Sequence, residues 1–384
     1  MEIAFIMSST LPMPSVKGGA VENILQNYVD NNELTGEHNI VIYSKYDPEA
    51  EKEALKYKYT KFVYINNYKH SYFVRLLIGC VNHVLNHWVG NLYIRKISKE
   101  ISNRQFDTVV VENVPYYLPL LRRSVDCSLF IHIHNSYDKK MKALVDKYSD
   151  GAMCVSEYIK ESYKAFDIYR KSKVLLNSID LDLFEFSKEK REIIREKYSI
   201  ANEEQLFIYT GRLIEGKSIL EMIQAFFLAI KEKPNIKLLI AGGIRSSQNE
   251  MSLYLQRCMQ EAEKCNGKVI FSGYINYIDL PAYYSAADVG ILPSKLHEAA
   301  PLSAIEMIAS GLPLIANPIA GQKEMASYGN AVFLNDQKDF VNELAEKIVN
   351  FDFLERKKNV CDLSEFSKAH YNEKMNDIIC KKIN

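Results

Sequence analysis

Little in this chain supplies a covalent staple, a bilayer span or a field of one sign. Its seven cysteines in 384 residues form no C-x-x-C pair and have no histidine cluster beside them at zinc spacing. Scattered structural thiols in a reducing compartment are the reading that remains. Sixteen glycines and eleven prolines are too few for a fibrous or low-complexity chain. Lys plus Arg equals Asp plus Glu at 48 each, so no global potential gathers nucleic acid, and no nucleic-acid partner is expected. No run approaches the roughly 18 uncharged apolar residues that span a bilayer. The start, MEIAFIMSS, has an acidic second residue and reads as a first strand rather than a signal peptide.

What is present is a repeated α/β grammar. The length exceeds that at which a single core stops growing, so two domains are expected. IAFIMS (3–8), NIVIYS (39–44), KFVYI (61–65), FDTVVVEN (106–113), CSLFIHI (127–133), GAMCVS (151–156) and KVLLN (173–177) are strand-length, and helical spacers separate most of them. QLFIYTG (205–211), IKLLIAGG (236–243), KVIFSG (268–273), ADVGILPS (287–294), GLPLIAN (311–317) and NAVFLN (330–335) repeat the pattern. Continuous apolar runs suit parallel sheets covered on both faces. A charge-rich stretch (184–204) separates the two sets, the boundary falls near Ile179, and the tail from Leu354 reads as helical. Ser218 and Glu221 have the spacing of a capping box for the helix that carries Leu220, Ile223, Phe226, Phe227 and Ile230.

Ligands bind outside the carboxyl ends of parallel strands, so the residues after each strand carry the functional signal. After the first strand, Gly18-Gly19 precede a helix. They are either a turn or a close approach of amides to an anion. After QLFIYTG come Arg212 and Lys217, either a solvated pair or two cations on a diphosphate. The block PSKLHEAAPLSAIEMIASGLPLIANPIAG (293–321) holds Glu298 in a loop and Glu306 in a helix. Ser303 and Glu306 also have capping-box spacing, so Glu306 has a structural reading beside the functional one. Pro301 ends any preceding helix and exposes the amides of Leu302 and Ser303. His132 and His134 flank Ile133 at a strand end. Here they are taken to point to opposite faces and not to share a metal, so that one serves a sugar hydroxyl or a proton and the other is structural.

These motifs resemble retaining glycosyltransferases of the GT-B type, family four, over nearly the whole chain. The marks are KGGAVENI, IHIHNS, VLLNSIDLDLF, GRLIEGK, and the two glutamates at 298 and 306 with seven residues between them. The resemblance implies two Rossmann-like domains facing a central cleft. Residues 1–178 form the acceptor domain, with helix 367–384 packing back onto it, and 179–366 form the nucleotide-sugar donor domain. It implies that Arg212 and Lys217 bind the diphosphate and that Glu306 takes the ribose hydroxyls. Glu298 then meets the sugar near its 3- and 4-hydroxyls, and the main chain of Ala300, Pro301, Leu302 and Ser303 lines sugar and phosphate. Gly18 and Gly19 close on the diphosphate, and His132 or His134 lies near the 6-position, with His134 favoured because it is nearer the loop. Ala299-Ala300-Pro301-Leu302 replaces the family's glycine-containing stretch, and Asn177-Ser178 its usual Asn-Gly.

The implied reaction moves a hexose from a nucleoside diphosphate sugar, a UDP-sugar by preference, to a hydroxyl acceptor. Configuration is retained, and no metal or permanently bound cofactor is implied. A sugar-nucleotide 2-epimerase, a phosphorylase and a non-catalytic partner subunit are the rival readings. The expected acceptor is a glycan or lipid-linked glycan of surface polysaccharide or glycolipid synthesis, and the expected location is cytoplasmic. Residues 68–97 mix aromatic, leucine and basic side chains, and either lie shallowly in a membrane interface or cover a sheet.

Overall fold

The computed structural model describes residues 1–66, 91–243, 252–335, 338–351 and 362–380. They divide into two compact units, Met1–Ser178 with Lys368–Asn384, and Ile179–Ser367. Each is Rossmann-like, built on its own parallel sheet.

The first unit has β1 (Glu2–Ile6), β2 (Asn39–Lys45), β3 (Thr60–Ile65), β4 (Thr108–Glu112), β5 (Ser128–Ile133), β6 (Gly151–Cys154) and β7 (Ser172–Val174). Their order is β3-β2-β1-β4-β5-β6-β7, and every pair is parallel. The second has β8 (Gln205–Thr210), β9 (Ile236–Ala241), β10 (Val269–Gly273), β11 (Val289–Leu292), β12 (Leu314–Ala316) and β13 (Ala331–Phe333), ordered β10-β9-β8-β11-β12-β13 and again all parallel. The apolar runs make strands because both faces are covered: β4 and β8 are buried at every residue. Strand order reverses direction at β1/β4 and at β8/β11, and such switch points open crevices at the carboxyl edge.

Helix Ile219–Glu232 shows how the second core closes. Ile219, Met222, Ile223, Phe226 and Ala229 are buried against Phe207, Leu238 and Ile240. Leu220, Phe227 and Ile230 lie partly buried at its margin, so the stripe is rotated by about one residue from the sequence reading. The capping box is not formed. Ser218 ends the 3-10 turn Glu215–Lys217 at φ 55°, and its side chain makes no cap bond. The tight turn, not the helix, sets its backbone, and Glu221 pairs with Lys295 at 3.8 Å instead.

Helix Lys368–Cys380 belongs to the first unit, where Tyr28 donates to Asn376 at 2.6 Å and Thr108 to the Ile379 carbonyl at 3.1 Å. Most of the 68–97 segment lies outside the described residues. Its described end, helix Leu92–Ile101, buries Tyr93, Ile94, Ile97 and Ile101 and exposes Arg95 and Lys96. Among the described residues no helix is long and apolar enough to cross a membrane.

Candidate active site

The second unit gathers most of the candidate residues around its β8/β11 switch point. The loop after β8 carries Arg212 and Lys217, and the loop after β11 carries Glu298. The two loops are tied together: the Lys295 amide donates to the Gly216 carbonyl at 3.0 Å, and Lys217 forms an ion pair with Glu298. Both charged side chains are largely enclosed, at 14% and 18% exposure, which limits screening by water. Arg212 is exposed, and its carbonyl accepts from the Tyr209 hydroxyl at 3.1 Å.

Backbone contacts fix Glu298. Its amide donates to the Leu296 carbonyl at 2.8 Å, and its carbonyl accepts from Gly321 at 2.9 Å. Gly321 is glycine for a reason of space, since a Cβ there would overlap the Ala299 carbonyl. Asn317 and Gln322 donate to the carbonyls of Ser294 and Leu292 at 2.9 Å each and hold the end of β11 from below. Ala300 is half-buried and Pro301 buried, leading into helix Leu302–Ala309. Pro301 stands at its N-cap without a side-chain cap, so the Leu302 and Ser303 amides have no helical acceptor and aim along the positive end of the helix.

Glu306 does not cap that helix. Ser303 lies inside it, and Glu306 sits one turn on, 5% exposed, facing Tyr284. The Tyr284 hydroxyl donates to its Oε2 at 3.0 Å and lies 2.7 Å from the Thr210 hydroxyl. Burial pushes the Glu306 carboxyl up to about 7, against the opposing pull of the Tyr284 hydrogen bond. Phe184 packs beside the same tyrosine, its ring 5.9 Å from Tyr284 and 5.5 Å from Tyr277.

In the first unit, Gly18 and Gly19 adopt φ 67° and 122° at the entry of helix Ala20–Thr35, a backbone that favours glycine. A Cβ on Gly19 would meet the carboxylate of buried Glu22, whereas nothing lies within 4 Å of one on Gly18.

The two histidines correct the sequence reading. Residues two apart on a strand share a face, because the side-chain period is two. His132 and His134 therefore point the same way, their ring centroids 3.9 Å apart. Both reach one oxygen of Glu112, His132 Nδ1 at 3.2 Å and His134 Nε2 at 3.1 Å. Donor atoms of the three residues lie within 4.8 Å of one another, so they are close enough to share an ion. The Glu112 carboxyl falls to about 2: burial would raise it, and the two imidazoles outweigh that cost. His134 is lowered to about 4, first by burial and then by the neighbouring His132.

Glu112, Tyr284 and Thr210 escaped the sequence reading. Glu112 ends FDTVVVEN, and only the β4–β5 register, which sets it opposite His132, reveals its partners. Tyr284 is one of two adjacent tyrosines in LPAYYSA, with nothing local to mark which meets Glu306.

Comparison with known proteins fits this geometry. Residues 190–362 match the family described as Glycosyl transferases group 1. The chain is 25% identical to spore coat protein SA of Bacillus subtilis, over 91% of this chain and 89% of that one. It is 23% identical to the lipopolysaccharide 1,2-N-acetylglucosaminetransferase of Salmonella typhimurium, over 62% and 61%. Its fold is similar to that of Anabaena HepE in complex with UDP, with TM-score 0.74 and 14% identity over 99% and 100% of the two chains. The UDP-glucose complex of the same protein gives 0.72 over 99% of each. Two Rossmann-like units of this kind define the GT-B class. The chain has the GT-B fold and is an enzyme that transfers a sugar from a nucleoside diphosphate sugar.

Proposed function

We propose that this enzyme retains configuration while transferring a hexose from a UDP-sugar to a hydroxyl of a membrane-associated glycan in surface polysaccharide or glycolipid synthesis. The observation that carries the donor half is the juxtaposition of Arg212, Lys217 and Glu298 at the β8/β11 switch point. Two cations there face the diphosphate with no metal needed, and offset the charge that grows on the leaving group. Preorganised donors of this kind are worth roughly 2.7–4 kcal/mol each. Glu298 orients Lys217 and accepts from the sugar's 3- and 4-hydroxyls, while the amides between Ala300 and Ser303 take phosphate and sugar oxygens. Glu306 has one oxygen bonded to Tyr284 and the other available to a ribose hydroxyl. The departing phosphate accepts the acceptor's proton on the same face.

Residues 1–178 bind the acceptor and 179–366 the donor in this reading. Gly18, with no atom within 4 Å of where a side chain would stand, leaves more room for a diphosphate than Gly19, against which Glu22 stands. His134 contacts the donor sugar near its 6-position, and His132, 1% exposed, supports it. The lipopolysaccharide transferase among the relatives supports a surface-glycan acceptor, and the enzyme works from the cytoplasm, docking peripherally through 68–97.

Calorimetry separates the diphosphate role from general damage. Arg212→Ala or Lys217→Ala should weaken UDP by at least about tenfold, near 1.4 kcal/mol, and leave uridine almost unchanged. Equal losses for both ligands would sink the assignment.

A further inference from the structure

We infer that Glu112 is a positioning residue that locks His134 in one neutral tautomer, with Nε2–H turned inward and Nδ1 left as a bare acceptor for a donor-sugar hydroxyl. The register of β4 and β5 sets Glu112 opposite His132, and the two-residue period brings His134 onto the same face. Glu112 is 2% exposed. An ionised carboxylate only accepts, so each ring nitrogen 3.1–3.2 Å from its Oε2 must bring a hydrogen. Those nitrogens are Nδ1 of His132 and Nε2 of His134, and the two rings are therefore held as opposite tautomers.

The atoms left over support the assignment. His132 Nε2 and Glu112 Oε1 are buried without a partner. A second proton on His132 would place a donor where nothing accepts it, at the full desolvation cost of that group. His134 Nδ1 is not among the enclosed unpartnered atoms and bonds to no other described group. It is the one polar corner of the cluster open to a ligand. Burial above all lowers His134, so it stays neutral at working pH.

The main chain is pinned as well. Asn113, directly after Glu112, sits at φ 58°, a left-handed conformation that asparagine tolerates better than most residues. Its Oδ1 accepts the His134 amide at 2.9 Å and the Tyr137 hydroxyl at 2.6 Å. Ring and backbone are thus fixed by adjacent residues, which leaves His134 little freedom to flip. A ring held this way reads a hydroxyl hydrogen and cannot act as an acid.

The sugar contact rests on the reading that His134 faces the donor, and the tautomer does not, so the two are tested apart. The full chain, labelled with 15N-histidine, is observed by long-range 1H–15N NMR without substrate, with His132→Gln and His134→Gln supplying assignments. The expected spectrum at pH 7 has His134 as Nε2–H and His132 as Nδ1–H, unchanged by one equivalent of Zn2+. An Nδ1–H or doubly protonated His134, or a shift of both rings on adding zinc, would overturn the inference, the last by making the cluster a metal site. Transfer kinetics then test the role. Glu112→Gln, which frees the ring to flip, should lower kcat on the order of tenfold to a hundredfold with the donor KM nearly kept. A normal kcat in a variant whose His134 tautomer is lost would overturn the link to transfer.

Discussion

Glu306 holds a carboxyl in a site that disfavours its charge, and the consequence can be read as a dependence of stability on pH. Its folded value of about 7 lies above the ordinary 4.5 because burial outweighs the Tyr284 hydrogen bond. The folded state then keeps a proton that the unfolded state releases as pH rises from 4.5 toward 7. Stability contributed by that proton is full below the lower value, falls through this window and is level above it. The gap corresponds to about 3 kcal/mol. Glu306→Gln keeps an acceptor for Tyr284 and removes the titration. Without ligand, the variant should gain up to about 3 kcal/mol over the native chain at pH 8 and almost nothing near pH 4.5. Urea unfolding at the two pH values measures this, and an equal gain at both would mean that ionisation is not the cause. On the proposed ribose role, the same variant should also bind UDP more weakly. Sequence marked this glutamate but left a capping role open beside it, because Ser303 and Glu306 have the right spacing. The helix begins at Leu302, too early for Ser303 to cap it.

At the scale of elements, the carboxyl-edge loops depend on contacts too close for a side chain. The Glu298 loop leans on the first turn of helix Ala320–Ala326, where Gly321 donates to the Glu298 carbonyl. Gly321→Ala forces a Cβ into the Ala299 carbonyl. Overpacking of this kind costs about 1–3 kcal/mol, and the loop has to move to relieve it. We expect a stability loss of that size by urea unfolding, together with weaker UDP-sugar binding by calorimetry. A variant with native stability and native affinity would show that the close approach does not position Glu298. The strands themselves were legible, since buried parallel strands need continuous apolar runs. Caps were not. Ser218 looked like the first residue of a helix, yet the preceding 3-10 turn had already set its φ to 55°.

The whole chain carries no net charge, so any attraction to a membrane has to be local. Helix Leu92–Ile101 has turned its apolar side, Tyr93, Ile94, Ile97 and Ile101, into the first unit. Arg95 and Lys96 remain exposed. With Lys69 and Arg75 they make four cations, each worth about 1 kcal/mol near such a surface. We expect co-sedimentation with vesicles containing phosphatidylserine, lost in high salt and weakened by Arg95→Glu with Lys96→Glu. Absence of binding at low salt would remove the membrane part and leave the transferase intact.

Sequence by itself determined the strand inventory and the α/β class, and it singled out Arg212, Lys217, Glu298 and Glu306 as candidates. These are properties of local apolar period and of residue type after a strand. Tertiary structure decided which of those residues meet. The β8/β11 switch point joins Lys217 to Glu298 across 81 residues of chain. Packing of helix Leu280–Ala286 brings Tyr284 onto Glu306, and the β4–β5 register gives two histidines a single carboxylate. Such encounters depend on strand order and register, which are settled only when distant segments pack together, so no local pattern records them.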